Sequence, residues 1–128
     1  MTPTWSPDEL ERIASADELE IAAKRADGTL RRWLLIWGVR YGAHLYVRTW
    51  HRREGGWFGQ VLHSRQARIR VPGLEADVTV EDIGEGTAQL RAGVDAAYRD
   101  KYGRYGSSSV EPMVAPAAAA ATLRLSPE

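Results

Sequence analysis

The sequence contains no cysteine, a single phenylalanine, two methionines and three histidines in 128 residues. Without thiols there are no disulfides, no thiolate metal sites and no cysteine nucleophile, and the redox state of the compartment leaves no mark. Charge of one sign is also missing: 17 Lys and Arg are matched by 17 Asp and Glu. A dedicated polyanion binder is therefore not expected, and nucleic acid is not read as a partner. No apolar run approaches the ~18 residues of a membrane span, and the opening "MTPTWSPDELERIASADELE" is acidic rather than a cationic leader. The expectation is a cytoplasmic chain with no membrane partner. His44, His51 and His63 match no zinc spacing, so no metal site is expected. No Gly-x-Ser-x-Gly elbow surrounds Ser64 or the serines at 107–109, which removes the usual hydrolytic nucleophile.

What is present is the balance of a globular protein, 44% hydrophobic and 27% charged, in a length that suits one core and one domain over residues 1–128. "TWSPDEL" reads as a helix start: Ser6 caps, Pro7 takes the first position, Glu9 closes a capping box, and Trp5 with Leu10 forms a hydrophobic staple. From residue 18 the period changes to two, through Leu19, Ile21 and Ala23, up to the turn signal Asp27-Gly28. "LRRWLLIWGVR" is apolar on both faces and reads as one covered strand. After Tyr41-Gly42, residues 44–50 form another, with Tyr46, Arg48 and Trp50 opposite Leu45, Val47 and Thr49. "GWFGQVLHSRQ" suits a short helical turn, and "ARIRVPGLEADVTVED" a hairpin about Pro72-Gly73, with Arg68 and Arg70 facing Glu75 and Asp77 across the strands.

Helical spacing returns at Leu90, Val94, Ala97, Tyr98 and Tyr102, backed by Arg91, Asp95 and Arg99 at steps of four. Pro112 and Pro116 then predict an extended Pro/Ala-rich path over 107–121, before a final strand at Thr122, Leu123 and Leu125. Together these elements predict an α+β fold: a mainly antiparallel, six-stranded sheet curled into a barrel, with an N-terminal helix and a late packing helix. The function is expected at "HLYVRTWHRREGGWF", residues 44–58, where a strand ends in cations, a double glycine and aromatics. Residues 48–70 hold six arginines against one glutamate, though Arg68 and Arg70 have the hairpin acids as partners.

The motifs "IWGVR", "LYVRTW", "GWF", "DVTVEDI", "DAAYRDKYGRY" and "TLRLSP", in this order over nearly the whole chain, resemble the bacterial domain-of-unknown-function family numbered 2255. More distantly, the strand, loop and tryptophan arrangement, the late tyrosine-bearing helix and "TLRLSP" are similar to the split β-barrel oxidoreductases. These include pyridoxamine-phosphate-oxidase-like flavoproteins and deazaflavin-dependent nitroreductases. The resemblance implies a split barrel, a homodimer, and FMN or a deazaflavin coenzyme in a groove at the subunit interface, exchanging hydride with a small organic substrate.

A phosphorylated flavin needs cations or clustered amides for its phosphate and a flat apolar wall for its ring. On that footing Arg48, Thr49, Trp50, Arg53, Trp57 and Lys101 are the cofactor-binding candidates, and His51, Tyr102 and Tyr105 the substrate-binding ones. His51 suits a proton donor, Gly55-Gly56 would let backbone approach a phosphate, and Lys101 with Tyr105 would line the same groove as Arg48. No catalytic residue is named, because the ring itself would carry the redox step. The Gly-Arg-x-Ser-Gly signature of the deazaflavin branch is absent after Gly28, where the chain reads "GTLRRW". That keeps an alternative open: a cofactor-free small-molecule-binding protein, or an isomerase or cyclase, using the same groove. A purely structural dimer or interaction module, with the aromatics as core and interface, is the third reading.

Overall fold

The computed structural model describes residues 4–49 and 56–128. The chain starts with α1 (Pro7–Ser15), capped as its sequence demands. Glu9 N–H donates to Ser6 Oγ at 3.1 Å and Ser6 N–H to Glu9 Oε1 at 2.8 Å, so each side chain satisfies the other residue's otherwise orphaned amide. Trp5 and Leu10 are both buried, as a staple requires.

Seven strands follow among the described residues: β1 (Leu19–Ala23), β2 (Leu34–Ile36), β3 (Gly38–Tyr41), β4 (His44–Val47), β5 (Gln66–Val71), β6 (Leu74–Gly84) and β7 (Thr122–Pro127). They form one antiparallel sheet in the order β2-β1-β5-β6-β7-β4-β3, curled into a nearly closed barrel. One strand more than the six expected arises because "LRRWLLIWGVR" breaks at Trp37. Its first part pairs with β1, Leu19 opposite Ile36, and its second with β4, Gly38 opposite Val47. The two outer strands of the sheet are thus joined through a single residue. Apolarity on both faces reads as one covered strand, but the two halves pair with different neighbours and Leu35 in β2 stays exposed.

β7 lies in the middle of the sheet, between β6 and β4. Trp5 Nε1–H donates to its Leu125 carbonyl at 2.9 Å, tying the start of the fold to its last strand. The hairpin turn between β5 and β6 uses Gly73 at φ 82°, a conformation that costs glycine little. Arg68 pairs with Asp77 and Glu75 as the alternation implies, whereas Arg70 turns to Glu20 on β1 at 2.9 Å and covers the Trp33 ring at 4.0 Å.

The remaining elements are α2 (Gly56–Ser64), α3 (Ala88–Tyr102), a 3-10 turn (Gly103–Tyr105), α4 (Ser107–Val114) and α5 (Pro116–Ala119). α2 is two full turns and seats Phe58 and Val61 in the barrel core beside Leu10, Ile13, Leu45 and Leu123. A second core lies on the outer face of β3 and β4, where α3 and α4 lay Val94, Tyr98, Tyr102, Val110 and Met113 against Val39 and Tyr46. The extended path expected over 107–121 is therefore corrected to two short helices. Val110, Met113 and Val114 recur at three and four residues and are all buried, which outweighs the hydrogen bond that Pro112 cannot donate. Pro116 takes the first position of α5, where its missing N–H costs nothing. Among the described residues no helix is long and apolar enough to cross a membrane.

Candidate functional site

Strand alternation decides where the end of β4 points. Leu45 and Val47 enter the barrel, Tyr46 packs on the outer core, and Arg48, two residues on, follows Tyr46 toward α3 and α4. There its side chain is wholly buried. Nη1–H donates to Asp95 Oδ1 at 2.5 Å and to the Met113 carbonyl at 3.0 Å, and Nε–H to Thr122 Oγ1 at 2.9 Å. Thr122 in turn donates to the Ala119 carbonyl at 2.7 Å, and the guanidinium carbon lies 5.6 Å from the Tyr98 ring centre. Only Nη2 is left over: among the described residues it is the one buried side-chain nitrogen or oxygen without a hydrogen-bond partner.

This network changes the role of the arginine. With Asp95 against it, and Arg91 3.8 Å from the other Asp95 oxygen, the Arg48 charge is already answered. It offers a hydrogen-bond donor rather than an uncompensated cation. Below it, burial drives the Tyr98 hydroxyl far above the ordinary tyrosine range, so it stays protonated and donates to the Trp37 carbonyl at 3.1 Å.

Arg48 and Thr49 line a groove of about 790 Å³. One wall is β2 and the break after it, giving Leu34, Leu35, Ile36 and Trp37; the others are Trp57 at the start of α2 and Ser108, Ser109, Pro112 and Met113 on α4. Trp37 is fixed from behind by Tyr102, whose ring stacks on it at 4.1 Å and 4°, and its flank meets Tyr105 at 5.6 Å. An aromatic shelf held this way loses little freedom when a flat ligand lies on it. The polar groups of the groove are hydroxyls and one guanidinium, set among aliphatic and aromatic surface, which is the composition of a small-molecule site.

The expected site residues divide by location. Arg48, Thr49 and Trp57 share the groove. Trp50, His51 and Arg53 fall outside the described residues. Tyr102 stands behind Trp37, its hydroxyl accepting from Gly38 N–H at 3.2 Å and donating to the Gly38 carbonyl at 3.1 Å, and burial pushes it up to about 12. Tyr105 is half-exposed beyond Trp37. Lys101 lines a separate hollow with Ala14, Val39 and Asp100, its ammonium donating to the carbonyls of Ile13 at 3.0 Å and Gly38 at 2.7 Å. Trp37, Asp95, Ser108 and Ser109 were not anticipated. Asp95 had a legible signal, since it neighbours Val94 and stands three residues before Tyr98, on the edge of the buried stripe.

Several solved structures share this architecture at low identity. The heme storage protein HutZ from Vibrio cholerae superposes with a TM-score of 0.69 at 14% identity, over 96% of this chain and 89% of that one. A FAD-binding protein from Mesorhizobium loti gives 0.59 at 17% identity, over 100% and 94%. An F420 reductase gives 0.55 at 19%, over 91% and 90%. The fold is that of the split β-barrel proteins. Within that class the chain belongs to the bacterial family described as "Uncharacterized protein conserved in bacteria (DUF2255)", whose model matches residues 9–125. No curated protein matches the sequence.

Proposed function

We propose that the groove binds a flat heteroaromatic ligand of the flavin or deazaflavin class, and that the protein is an oxidoreductase acting on a small organic substrate. The observation that carries this reading is the unpartnered, buried Nη2 of Arg48 in a groove walled by Trp37 and Trp57. The indoles would cover the ring faces, and a ring carbonyl would satisfy that N–H once the side chains that close it off from solvent shift. When bound, such a ring takes up and gives back a hydride. The chain's own residues have simpler tasks: Trp37 and Trp57 bind and exclude water, Arg48 and Thr49 orient an acceptor edge, and Ser108 and Ser109 present hydroxyls at the opposite wall. Similar folds among proteins named for FAD and F420 support the ligand class. The homodimer that the resemblance implies is part of this proposal, with Leu35, 62% exposed on the outer strand β2 at the lip of the groove, as a residue a second copy would cover.

A second reading is favoured by a specific observation. Asp95 already neutralises Arg48, so among the described residues lining this groove no uncompensated cation awaits a phosphate. Arg53, the expected phosphate partner, lies outside the described residues, and Lys101 is spent on backbone carbonyls. A neutral small molecule bound without any redox cofactor, by a binding protein or an isomerase or cyclase, fits that electrostatics.

Absorbance of the purified protein, followed by titration with FMN and with a deazaflavin coenzyme while tryptophan fluorescence is read, separates the two. Saturable quenching at micromolar ligand, weakened at least about tenfold in Ser109→Glu through repulsion of an anionic ligand, is the expected result. Ser109 is exposed, so this variant keeps its fold. Absence of binding by both at about 100 µM, which would reveal affinities near −5.5 kcal/mol or better, overturns the flavin reading and leaves the cofactor-free one.

A further inference from the structure

α2 borders a second groove, larger than the first at about 980 Å³. One wall is the segment after β1, with Lys24, Arg25 and Arg31; the other is α2, with Gln60 and His63. Among the described residues no carboxylate lines it. Many cations elsewhere are answered: Arg68 and Arg70 on β5, Arg91 on α3 and Arg124 on β7 all reach acids, whereas Arg32, Arg40 and Arg65 make no ion pair among the described residues but do not line this groove. Lys24 in the groove is likewise answered, by Asp77 at 3.1 Å and Glu128 at 3.7 Å.

The two arginines are not. Arg25 donates through Nη1 to the Leu30 carbonyl at 2.7 Å and to Thr29 Oγ1 at 3.4 Å, which orients the guanidinium without cancelling its charge. Asp27, the nearest acid in that turn, accepts from the Thr29 hydroxyl and amide at 2.6 and 3.0 Å; it feels the Arg25 charge but makes no ion pair with it, so Arg25 is only partly offset. Arg31 has its backbone N–H fixed to the Ala23 carbonyl at 2.8 Å, while its exposed side chain makes no hydrogen bond or ion pair among the described residues. The loop thus holds one guanidinium in place and anchors the backbone of a second beside it, both on one concavity.

We propose that this second groove binds a phosphorylated small molecule, its phosphate held by Arg25 and Arg31. Guanidinium forks match pairs of phosphate oxygens, and a dianion balances two cations where a carboxylate would balance one. Gln60 and His63 on the α2 wall supply hydrogen bonds to the rest of the molecule. The volume fits a ligand rather than a polymer, and the zero net charge gives no long-range pull on nucleic acid. The site stands whether or not the Arg48 groove takes a flavin, since no residue lines both.

The test is calorimetric titration of pyrophosphate into the wild type, Arg31→Glu, Arg32→Glu and Ser109→Glu in about 50 mM salt, where screening is modest. Arg32 is exposed, as Arg31 is, but does not line the groove, so its reversal changes net charge equally and controls for it. Saturable binding is expected, weakened at least about tenfold by Arg31→Glu and less than about threefold by the other two. The proposal is overturned by no saturable binding, by equal weakening in Arg31→Glu and Arg32→Glu, or by sulfate displacing pyrophosphate at equal concentration, which would mark an unselective patch.

Discussion

Replacing Arg48 with alanine tests the central electrostatic argument directly. The side chain is 0% exposed and its partner Asp95 15% exposed, so the pair is mostly out of water. Removing the cation strands the Asp95 carboxylate, takes the donor from the Met113 carbonyl, and leaves a cavity beside the Tyr98 ring. Breaking a buried pair from one side costs about 3–5 kcal/mol. Arg91 remains 3.8 Å from Asp95 and the Thr122 hydroxyl keeps its bond to Ala119, so the lower end, about 3 kcal/mol, applies. For a chain of this size that is a fall in Tm of roughly 10–15 °C. Urea unfolding followed by circular dichroism measures it, and the cycle with Asp95→Ala should give a coupling of about 2 kcal/mol. Substituting both by apolar residues, Arg48→Met with Asp95→Leu, should recover much of the loss. If Arg48→Ala stays within about 1 kcal/mol of the wild type, the arginine is a solvated strand-end cation and the reasoning fails.

Three further outcomes follow from the same geometry. Ser6→Ala should cost about 1 kcal/mol through loss of the capping box; an unchanged urea midpoint would mean that α1 is held by tertiary packing alone. Gly93→Ala gains about 1 kcal/mol in an open helix, yet here the new methyl would run into the Tyr41 ring, so a loss of about 1–3 kcal/mol is expected and a gain in Tm would contradict that contact. Burial pushes the Lys101 ammonium from 10.5 down to about 8, with Asp17 opposing. Between those values the unfolded chain binds the proton more tightly than the folded one, so stability should rise with pH. The urea midpoint of the wild type minus that of Lys101→Met should climb across this window, and a flat difference would show that the two carbonyl acceptors hold the ammonium charged.

Much of the fold is local chemistry and was legible. Ser6, Pro7 and Glu9 define the start of α1, Pro72-Gly73 defines a turn, and the alternation through β5 and β6 defines which face is buried. The break at Trp37 was not legible, because the residues on either side are equally apolar and only their partners differ. The tail misled for a related reason: Pro112 is a local signal against a helix, and the burial that overrides it is tertiary. Arg48, Thr49 and Trp57, which the resemblance groups at a strand end and past the following loop, line one groove. Lys101 was not placed correctly by spacing, since a residue near the end of α3 can reach either α1 or the groove depending on how the helix is rolled. The decisive partner, Asp95, is 47 residues from Arg48: its place on the edge of the buried stripe of α3 was legible, but its pairing with Arg48 was not.

The central position of β7 has a consequence for how the protein is made. On the ribosome, β1 to β6 emerge first, and they supply two separate ladders, β2-β1-β5-β6 and β4-β3, each with an open edge where β7 will go. Closing the gap requires contacts as distant as Trp5 with Leu125, 120 residues apart, a loop whose entropy is lost before the pairing is gained. During that interval two nascent chains can offer each other the edge that β7 has not yet covered. The growing chain is thus most prone to intermolecular strand pairing in the interval between the emergence of β6 and that of β7, when six of the seven described strands are already present.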